Sequence, residues 1–283
     1  MIGSVSFKPY EKLDLSDDFM FGKVMQDKER CKKLLEITLN LSPDIEIEDP
    51  LTQGNIRNSP GSKSIFLDIR TRDATSFYDV EMQKRVDKTL PLRMRYYQSM
   101  MDIEFLQKGH EYGELLNNYI LFFCKGDLFG KGKPVYTFTT KCEECKELVF
   151  GDKTTKIVYN ASKWMDVKDR ELSALLRLIH EGEATTGYTS ELEHCIRQMR
   201  NNPMWRKEYM DYHMEIMHEA NIARQEARRK ALAEGIAEGR IAERTETINA
   251  LIKTGVQAEV IAKALNISEE EVLSMARMPP SSV

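Results

Sequence analysis

Three polar residues, Asp68, Glu81 and Gln83, have the types and spacing that metal chemistry needs. If two strands place Asp68 directly opposite Glu81, their Cβ atoms lie about 5 Å apart, and the carboxylates repel each other unless a cation lies between them. Carboxylate oxygens suit Mg2+ or Mn2+, and the side-chain carbonyl of Gln83 could orient water or substrate. Such an ion can activate a water for phosphodiester hydrolysis. The alternative is that both carboxylates are solvated on the exposed face of a hairpin.

Two neighbouring segments alternate apolar and polar residues with a period of two, as strands with one buried face do. They are residues 65–72 (I-F-L-D-I-R-T-R) and 77–83 (F-Y-D-V-E-M-Q). A short turn symmetric about Ala74 and Thr75 would set Asp68 opposite Glu81 and place Gln83 diagonally across from Asp68. The same register predicts three further cross-strand pairs, Leu67–Met82, Ile69–Val80 and Arg70–Asp79. The turn lacks an Asn-Gly pair, so a longer symmetric loop is an alternative, and an asymmetric bulge would shift the pairing.

Other apolar patterns predict the elements around this hairpin. Helices are expected over residues 16–25 with Ser16 as the cap, over 28–41 before Pro43, and from 92 to near Gly109. Residues 119–124 are apolar on both faces, which indicates a central strand. Residues 135–139 and 156–159 are predicted to form further strands.

The C-terminal third is charged and rich in alanine, which predicts one long helix over residues 204–253. Its small residues Ala233, Ala237, Gly235 and Gly239 would let another helix approach closely. We therefore predict self-association through this segment.

Residues 245–278 resemble a small helix-turn-helix unit with its turn at Asn266 and Ile267. Ser268 and Glu271 have the spacing of a capping box for the last helix. Because that helix opens with three glutamates at 269–271, which would repel phosphates, packing or partner binding is a simpler role for it than reading a DNA sequence.

The composition limits the function classes. The net charge of -4 argues against a protein that coats nucleic acid through bulk charge. Five cysteines, an odd number, indicate reduced thiols rather than a disulfide framework. We expect a cytoplasmic protein that does not bind membranes, because there is neither a run of 18 apolar residues nor a secretory signal.

Four segments together resemble the PD-(D/E)XK nuclease superfamily, in the branch of recombination-promoting nucleases and transposases. They are S-D-D-F-M-F (16–21), L-D-I-R (67–70), V-E-M-Q (80–83) and R-x-R-Y-Y (93–97). The resemblance implies an α/β, restriction-endonuclease-like core, with a mixed sheet flanked by helices and a C-terminal all-α tail. We expect a core over residues 1–185, a charged helical oligomerisation segment over 186–244 and the helix-turn-helix-like unit over 245–283.

By the same resemblance, Asp68 and Glu81 are the catalytic acids that bind the metal, and Gln83 stands where many relatives carry lysine. Glutamine cannot donate a proton, so the metal must do more of the activation. The implied activity is Mg2+-dependent endonucleolytic cleavage of DNA, with Mn2+ or Ca2+ as alternative ions. The alternative function is a catalytically weak relative that acts as an oligomerising DNA- or protein-binding module.

Supporting residues are expected on the neighbouring helices. Arg93, Arg95 and Tyr96 could reach a phosphate oxygen, although a solvated helix face with Tyr96 in the core fits equally well. Asp18 and Glu36 could each lend a further carboxylate.

Two other motifs predict less. Cys142 and Cys145 form half of a zinc motif without a second pair, so a solvated turn is the better interpretation. Residues 130–133 (G-K-G-K) lack the spacing of a nucleotide-binding loop and predict a basic loop that could touch a backbone phosphate.

Overall fold

A computed structural model describes residues 8–56, 65–106 and 108–276 of the chain. The chain divides into two compact units, Met1–Tyr209 and Met210–Val283.

The first unit contains one six-stranded mixed sheet in the spatial order β1-β2-β3-β4-β6-β5. The strands are β1 (Leu51–Ile56), β2 (Ile65–Arg72), β3 (Ser76–Gln83), β4 (Asn117–Cys124), β5 (Val135–Phe138) and β6 (Thr154–Asn160). Strands β3, β4 and β6 run parallel to one another, and the remaining neighbours pair antiparallel. The expected restriction-endonuclease-like mixed sheet with flanking helices is confirmed.

Eight α-helices complete the described chain. They are α1 (Asp18–Met25), α2 (Lys28–Leu39), α3 (Leu90–Phe105), α4 (Arg170–Glu181), α5 (Gly187–Arg200), α6 (Pro203–Lys253), α7 (Ala258–Leu265) and α8 (Glu269–Ala276). Short 3-10 turns lie at Tyr10–Lys12, Tyr112–Glu114 and Ala161–Asp166.

The central strand β4 divides the helices between the two faces of the sheet, as its doubly apolar pattern predicts. Adjacent residues on a strand point to opposite faces. Phe122 lies 6.3 Å from the ring of Tyr97 on α3, whereas Phe123 lies 6.1 Å from the ring of Phe21 on α1. Helix α3 therefore covers one face, and α1 covers the other.

The β2–β3 hairpin has the predicted register over four pairs, from Ile69–Val80 to Arg72–Phe77. Asp73 makes the short turn without an Asn-Gly pair. Its Oδ1 accepts hydrogen bonds from the backbone amides of Thr75 (2.6 Å) and Ser76 (2.8 Å). Such a side-chain turn fixes the hairpin symmetry locally.

Several predicted helix ends are wrong by a few residues. Helix α1 begins at Asp18, so that Asp17 and not Ser16 occupies the N-cap position, and the Ser16 hydroxyl donates to Asp14. Helix α2 ends at Leu39, since Asn40 adopts a left-handed conformation (φ 53°) that asparagine tolerates. Helix α3 ends at Phe105, before Gly109.

The second unit contains the predicted terminal helix pair. Ile248 of α6 packs with Ile261, Ala262 and Val272 from α7 and α8 in a small buried cluster. The expected capping box is present, because Ser268 Oγ accepts from the Glu271 amide (3.1 Å) and Glu271 accepts from the Ser268 amide (2.9 Å). In the described ranges, every helix is too short or too polar to cross a membrane.

Gly22 generates a prediction about how α1 packs on the sheet. A Cβ at Gly22 would lie 3.5 Å from the Asp68 carbonyl oxygen and 4.0 Å from Thr52 Cβ, an ordinary contact distance that leaves no space for a longer side chain. We expect Gly22→Ala to be tolerated and Gly22→Leu to lose about 1–3 kcal/mol of unfolding free energy through overpacking. Urea denaturation measures both.

Gly187, the exposed first residue of α5, provides the matched control, because no atom outside the local helix backbone lies within 4 Å of a Cβ placed there. Gly187→Leu should keep or slightly raise stability through helix propensity. If leucine costs no more at position 22 than at position 187, α1 does not pack against Asp68 as described.

Candidate active site at the carboxyl edge of the sheet

The regular pairing of β2 with β3 ends at Ile69–Val80, and two carboxylates connect the strands beyond that point. The Asp68 amide donates to Glu81 Oε1 (2.9 Å), and the Met82 amide donates to Asp68 Oδ2 (2.9 Å). Each carboxylate therefore accepts a backbone N–H of the neighbouring strand where the regular strand pairing has ended. Asp68 and Glu81 therefore lie close together, as predicted. The strands are joined at this point by two hydrogen bonds from backbone amides to side-chain carboxylates.

A third carboxylate, Asp79, lies on the same face of β3 as Glu81. Asp79 is 0% exposed and Glu81 is 3% exposed, while Asp68 is partly exposed. When Asp79 and Glu81 are both ionised, neither carboxylate oxygen of Asp79 accepts a hydrogen bond from a described residue. A proton on one of them would let Asp79 and Glu81 bond each other.

Arg70 does not neutralise Asp79, although the two are cross-strand partners as predicted. Its guanidinium forms an ion pair with Glu104 of α3 instead. The register prediction is right, but Glu104 on the covering helix competes for the arginine. The negative charge of Asp79 consequently lacks a hydrogen-bonded counterion.

Burial and mutual repulsion raise the pKa values of these carboxyls. Burial raises the pKa of Asp68 to about 7, and the negative charge of Asp18 adds to that rise. Burial, and then the charges of Asp68 and Asp79, raise the pKa of Glu81 well above its ordinary value. Burial also raises the pKa of Asp79. A site that resists ionisation in this way favours any cation that can replace the protons.

Arg93, in the first turns of α3, brings a positive charge close to this acidic group. It donates to Gln83 Oε1 (2.9 Å) and to the Tyr97 hydroxyl (3.1 Å). Its charge lowers the pKa values of Asp68 and Glu81 against the larger effect of burial. Gln83 is fixed from its other end as well, because its Nε2 donates to the Arg85 carbonyl (2.6 Å).

The other predicted site residues are placed differently. Asp18 lies close enough to Asp68 to raise its pKa. Arg95 is exposed, and Tyr96 packs against the core beneath α3. Glu36 forms an ion pair with Lys33 (2.8 Å) of the same helix, and its charge adds to the larger effect of burial in raising the pKa of Tyr188 on α5.

Two residues that the sequence patterns did not assign to the site are Asp79 and Tyr97. Asp79 shares the alternation of Glu81 and Gln83, which is a signal present in the sequence. Tyr97 lies four residues after Arg93, the spacing at which helical side chains meet. Burial, and then the charge of Glu81, raise the pKa of Tyr97 to about 12.

The donor set fits a divalent cation that keeps part of its water shell. The amide hydrogen bonds occupy Asp68 Oδ2 and Glu81 Oε1, so Asp68 Oδ1 and Glu81 Oε2 are the oxygens that could bind the ion. The described residues contain no group of three or more His, Cys, Asp or Glu side chains arranged as a complete metal cage. Mg2+ is commonly held by one or two carboxylates plus water and phosphate oxygens.

The cysteine motif lies apart from this group, in the loop between β5 and β6. Cys142 and Cys145 are half-buried, and the Cys142 thiol donates to Glu144 (3.2 Å). The described part of the chain offers no second ligand pair for them.

Comparison with known proteins gives one family match. The family model described as PD-(D/E)XK nuclease family transposase matches residues 12–232. Neither the curated proteins nor the solved structures include a significant match. The matched region contains the hairpin, Arg93 and the whole sheet.

The raised pKa values predict a pH dependence of stability in the metal-free protein. The folded carboxyls hold protons more tightly than unfolded ones, so their stabilisation is complete below the ordinary carboxyl pKa and is lost as pH rises through about 7. We expect Asp68→Asn or Asp79→Asn to raise the melting temperature in EDTA at about pH 8 and to give little advantage at about pH 5. Differential scanning fluorimetry measures the difference from wild type.

Mg2+ should change this dependence, since a cation competes with protons for the same oxygens. Millimolar Mg2+ should raise the wild-type melting temperature more at about pH 8 than at about pH 5, and less in Asp68→Asn. Glu143→Gln, in the exposed β5–β6 loop, is the control and should behave as wild type. A wild-type melting temperature unaffected by Mg2+ at both pH values would contradict a cation site at Asp68.

Proposed function

Since the chain belongs to the PD-(D/E)XK nuclease family transposases, we propose that it is a metal-dependent endonuclease that hydrolyses phosphodiester bonds in DNA. The observation that carries this proposal is the pair of carboxylates, Asp68 and Glu81, inserted between two strands at the edge of the sheet. Family membership links the nuclease to mobile elements.

Asp68 and Glu81 would hold the cation, with Mg2+ as the first choice and Mn2+ or Ca2+ as alternatives. When bound, such a cation lowers the pKa of a water and neutralises charge on the phosphate. The amides of Asp68 and Met82 fix the orientation of the two carboxylates before any ion arrives. Preorganisation of this kind means that the side chains need not reorder when substrate binds.

Gln83 would act through Arg93 and not directly on water. A glutamine cannot exchange a proton at neutral pH, and its carbonyl oxygen is already engaged by the Arg93 guanidinium. Arg93 in turn brings to this edge a permanent positive charge, which many relatives obtain from a lysine at the position of Gln83. A guanidinium with further N–H donors can bind a phosphate oxygen while it keeps its bond to Gln83.

Helix α6 would join copies of the chain. Within Met210–Val283 it exposes large apolar side chains at spacings of three, four and fifteen residues: Met210 (57%), Met214 (67%), Met217 (45%), Leu232 (64%) and Ile236 (49%). Gly235 and Gly239 lie beside Leu232 and Ile236 at helical spacing, with no atom within 4 Å of an added Cβ. Exposed apolar residues next to glycines fit close approach of a second helix.

Plasmid nicking tests the nuclease. We expect supercoiled DNA to be nicked in Mg2+ or Mn2+ but not in EDTA, and Asp68→Asn or Glu81→Gln to reduce the rate on the order of 100-fold or more, because each removes a metal ligand. Both replacements are isosteric and keep an acceptor for the backbone amides. Thermal melts of each variant should show a folded protein.

Glu143→Gln is again the control, with an unchanged nicking rate. No cleavage of DNA with any of the metals, by protein shown to be folded, would reject the endonuclease. That result would favour the catalytically weak, oligomerising binding module.

Oligomerisation is tested with paired lysines on α6. Leu232→Lys with Ile236→Lys should lower the molar mass measured by light scattering, because charge replaces the apolar contact between copies. Glu234→Gln with Glu238→Gln changes the net charge by the same amount at the same spacing, about 200° further around the helix on exposed positions, and should leave the mass unchanged. Equal masses for the wild type and both double variants would reject association through the Leu232 face.

A further inference from the structure

The candidate active site lies at the edge of the sheet where the three parallel strands end. Gln83 of β3, Cys124 of β4 and Asn160 of β6 are aligned across this edge. The chain segments that follow β3 and β4 leave it side by side. The Lys125 amide donates to the Gln83 carbonyl (3.2 Å), and a Cβ at Gly126 would lie 3.7 Å from Val86 Cγ2.

These two loops, residues 84–89 and 125–134, carry a local excess of positive charge. Together they contain six basic and two acidic residues, in a chain of net charge -4. The exposed members of the basic set are Lys84, Arg85, Lys88, Lys131 and Lys133. Of these, Lys84 is already paired with Asp17 (2.5 Å). We call these two loops the basic edge.

The two acidic residues of the basic edge are used to shape it. Asp127 accepts hydrogen bonds from the amides of Gly130 (3.0 Å) and Gly132 (2.7 Å) and from the Tyr136 hydroxyl (2.8 Å). Asp87 accepts from the Thr89 amide (2.8 Å). The loop amides, and for Asp87 also the Arg93 guanidinium (3.7 Å), therefore partly offset the negative charge of these two side chains.

In the second loop, residues 125–134, hydrogen bonds fix the backbone that carries the exposed Lys131 and Lys133. Gly130 (φ 64°) and Gly132 (φ 68°) adopt left-handed conformations on either side of Lys131, which glycine allows at no steric cost. The Lys133 amide donates to the Tyr136 hydroxyl (3.1 Å), so the backbone after the glycines is anchored too. Among the described residues, neither Lys131 nor Lys133 forms an ion pair.

We propose that the basic edge binds the phosphodiester backbone of duplex DNA and thereby brings a scissile phosphate to Asp68 and Glu81. This inference rests on the proposed nuclease function and adds the surface through which the substrate approaches. Lysine ammonium groups contact phosphates as point charges and carry no information about base identity. Binding through the basic edge is accordingly independent of base sequence and strongly weakened by salt.

The charge distribution favours this surface over the terminal helices of the second unit. Helix α8 opens with Glu269, Glu270 and Glu271, which would repel a DNA backbone. The basic edge, by contrast, shares an edge of the sheet with the carboxylates and with Arg93.

Fluorescence anisotropy of a labelled DNA duplex, titrated with the full-length chain, tests the proposal. The titration is made once in Ca2+ and once in EDTA, and a gel shows that the DNA stays intact. Lys131→Ser with Lys133→Ser removes two charges while the backbone bonds to Asp127 and Tyr136 can persist. We expect affinity to fall about tenfold per lysine at about 0.1 M salt, and the slope of log K against log salt to shrink by about 0.9 for each lost contact. Two duplexes of unrelated sequence should bind equally.

Lys141→Ser with Lys146→Ser is the matched control, because these exposed lysines lie in the β5–β6 loop at the opposite edge of the sheet. It should bind and nick as wild type does. If wild type nicks DNA and the Lys131/Lys133 variant binds with unchanged affinity and slope, this inference is wrong while the nuclease stands. If the wild type neither binds nor nicks DNA, both this inference and the proposed nuclease function are wrong. Tighter binding of RNA or single-stranded DNA than of the duplex would overturn the choice of duplex DNA.

Discussion

Like charges held close together out of water are the constraint on which this architecture depends. Asp68, Asp79 and Glu81 lie on one face of a hairpin, and burial of even one carboxylate costs several kcal/mol unless it is hydrogen-bonded or neutralised. Two of the three are stabilised by backbone amides that the interrupted ladder leaves available. Asp79 has neither an amide nor a guanidinium partner within the described residues. The negative charge of Asp79 is thus left without a hydrogen-bonded partner, and a bound cation would offset it.

The surrounding elements reduce this cost without removing it. Helix α3 contributes Arg93, whose guanidinium also lies 5.5 Å above the ring of Phe122, so a half-buried charge is held among apolar residues. Helix α1 approaches the other side of β2 through Gly22, where a Cβ would lie 3.5 Å from the Asp68 carbonyl oxygen. Asp18 adds negative charge from the same helix. The fold therefore tolerates a cluster of buried acidic groups on this face of the hairpin, and strongly perturbed acidic groups of this kind cluster at functional sites.

Much of the fold follows from local patterns in the sequence. Period-two alternation and the symmetric turn predict the β2–β3 register, and apolar residues on both faces predict the central position of β4. Features that depend on competition between partners are not predicted. Arg70 had two acidic neighbours and pairs with Glu104, which is 34 residues away in sequence. Ser16 had the residue type of a helix cap but bonds to Asp14. The interrupted ladder is a similar case, because no pattern of residue types reveals that carboxylates accept backbone N–H groups where the strand pairing has ended.

The pairing of Gln83 with Arg93 shows how a site can keep a charge when the residue at the expected position is neutral. A lysine at position 83 would bring its own ammonium, but it would also repel the guanidinium that now lies against Gln83 Oε1. Glutamine and Arg93 are thus compatible, whereas lysine and Arg93 would compete for the same space and the same carboxylates. Arginine holds its proton at any physiological pH, so charge supplied from α3 is permanent. A permanent positive charge can orient a phosphate but cannot transfer a proton. In the proposed reaction, activation of the water would therefore depend on the cation that Asp68 and Glu81 would hold.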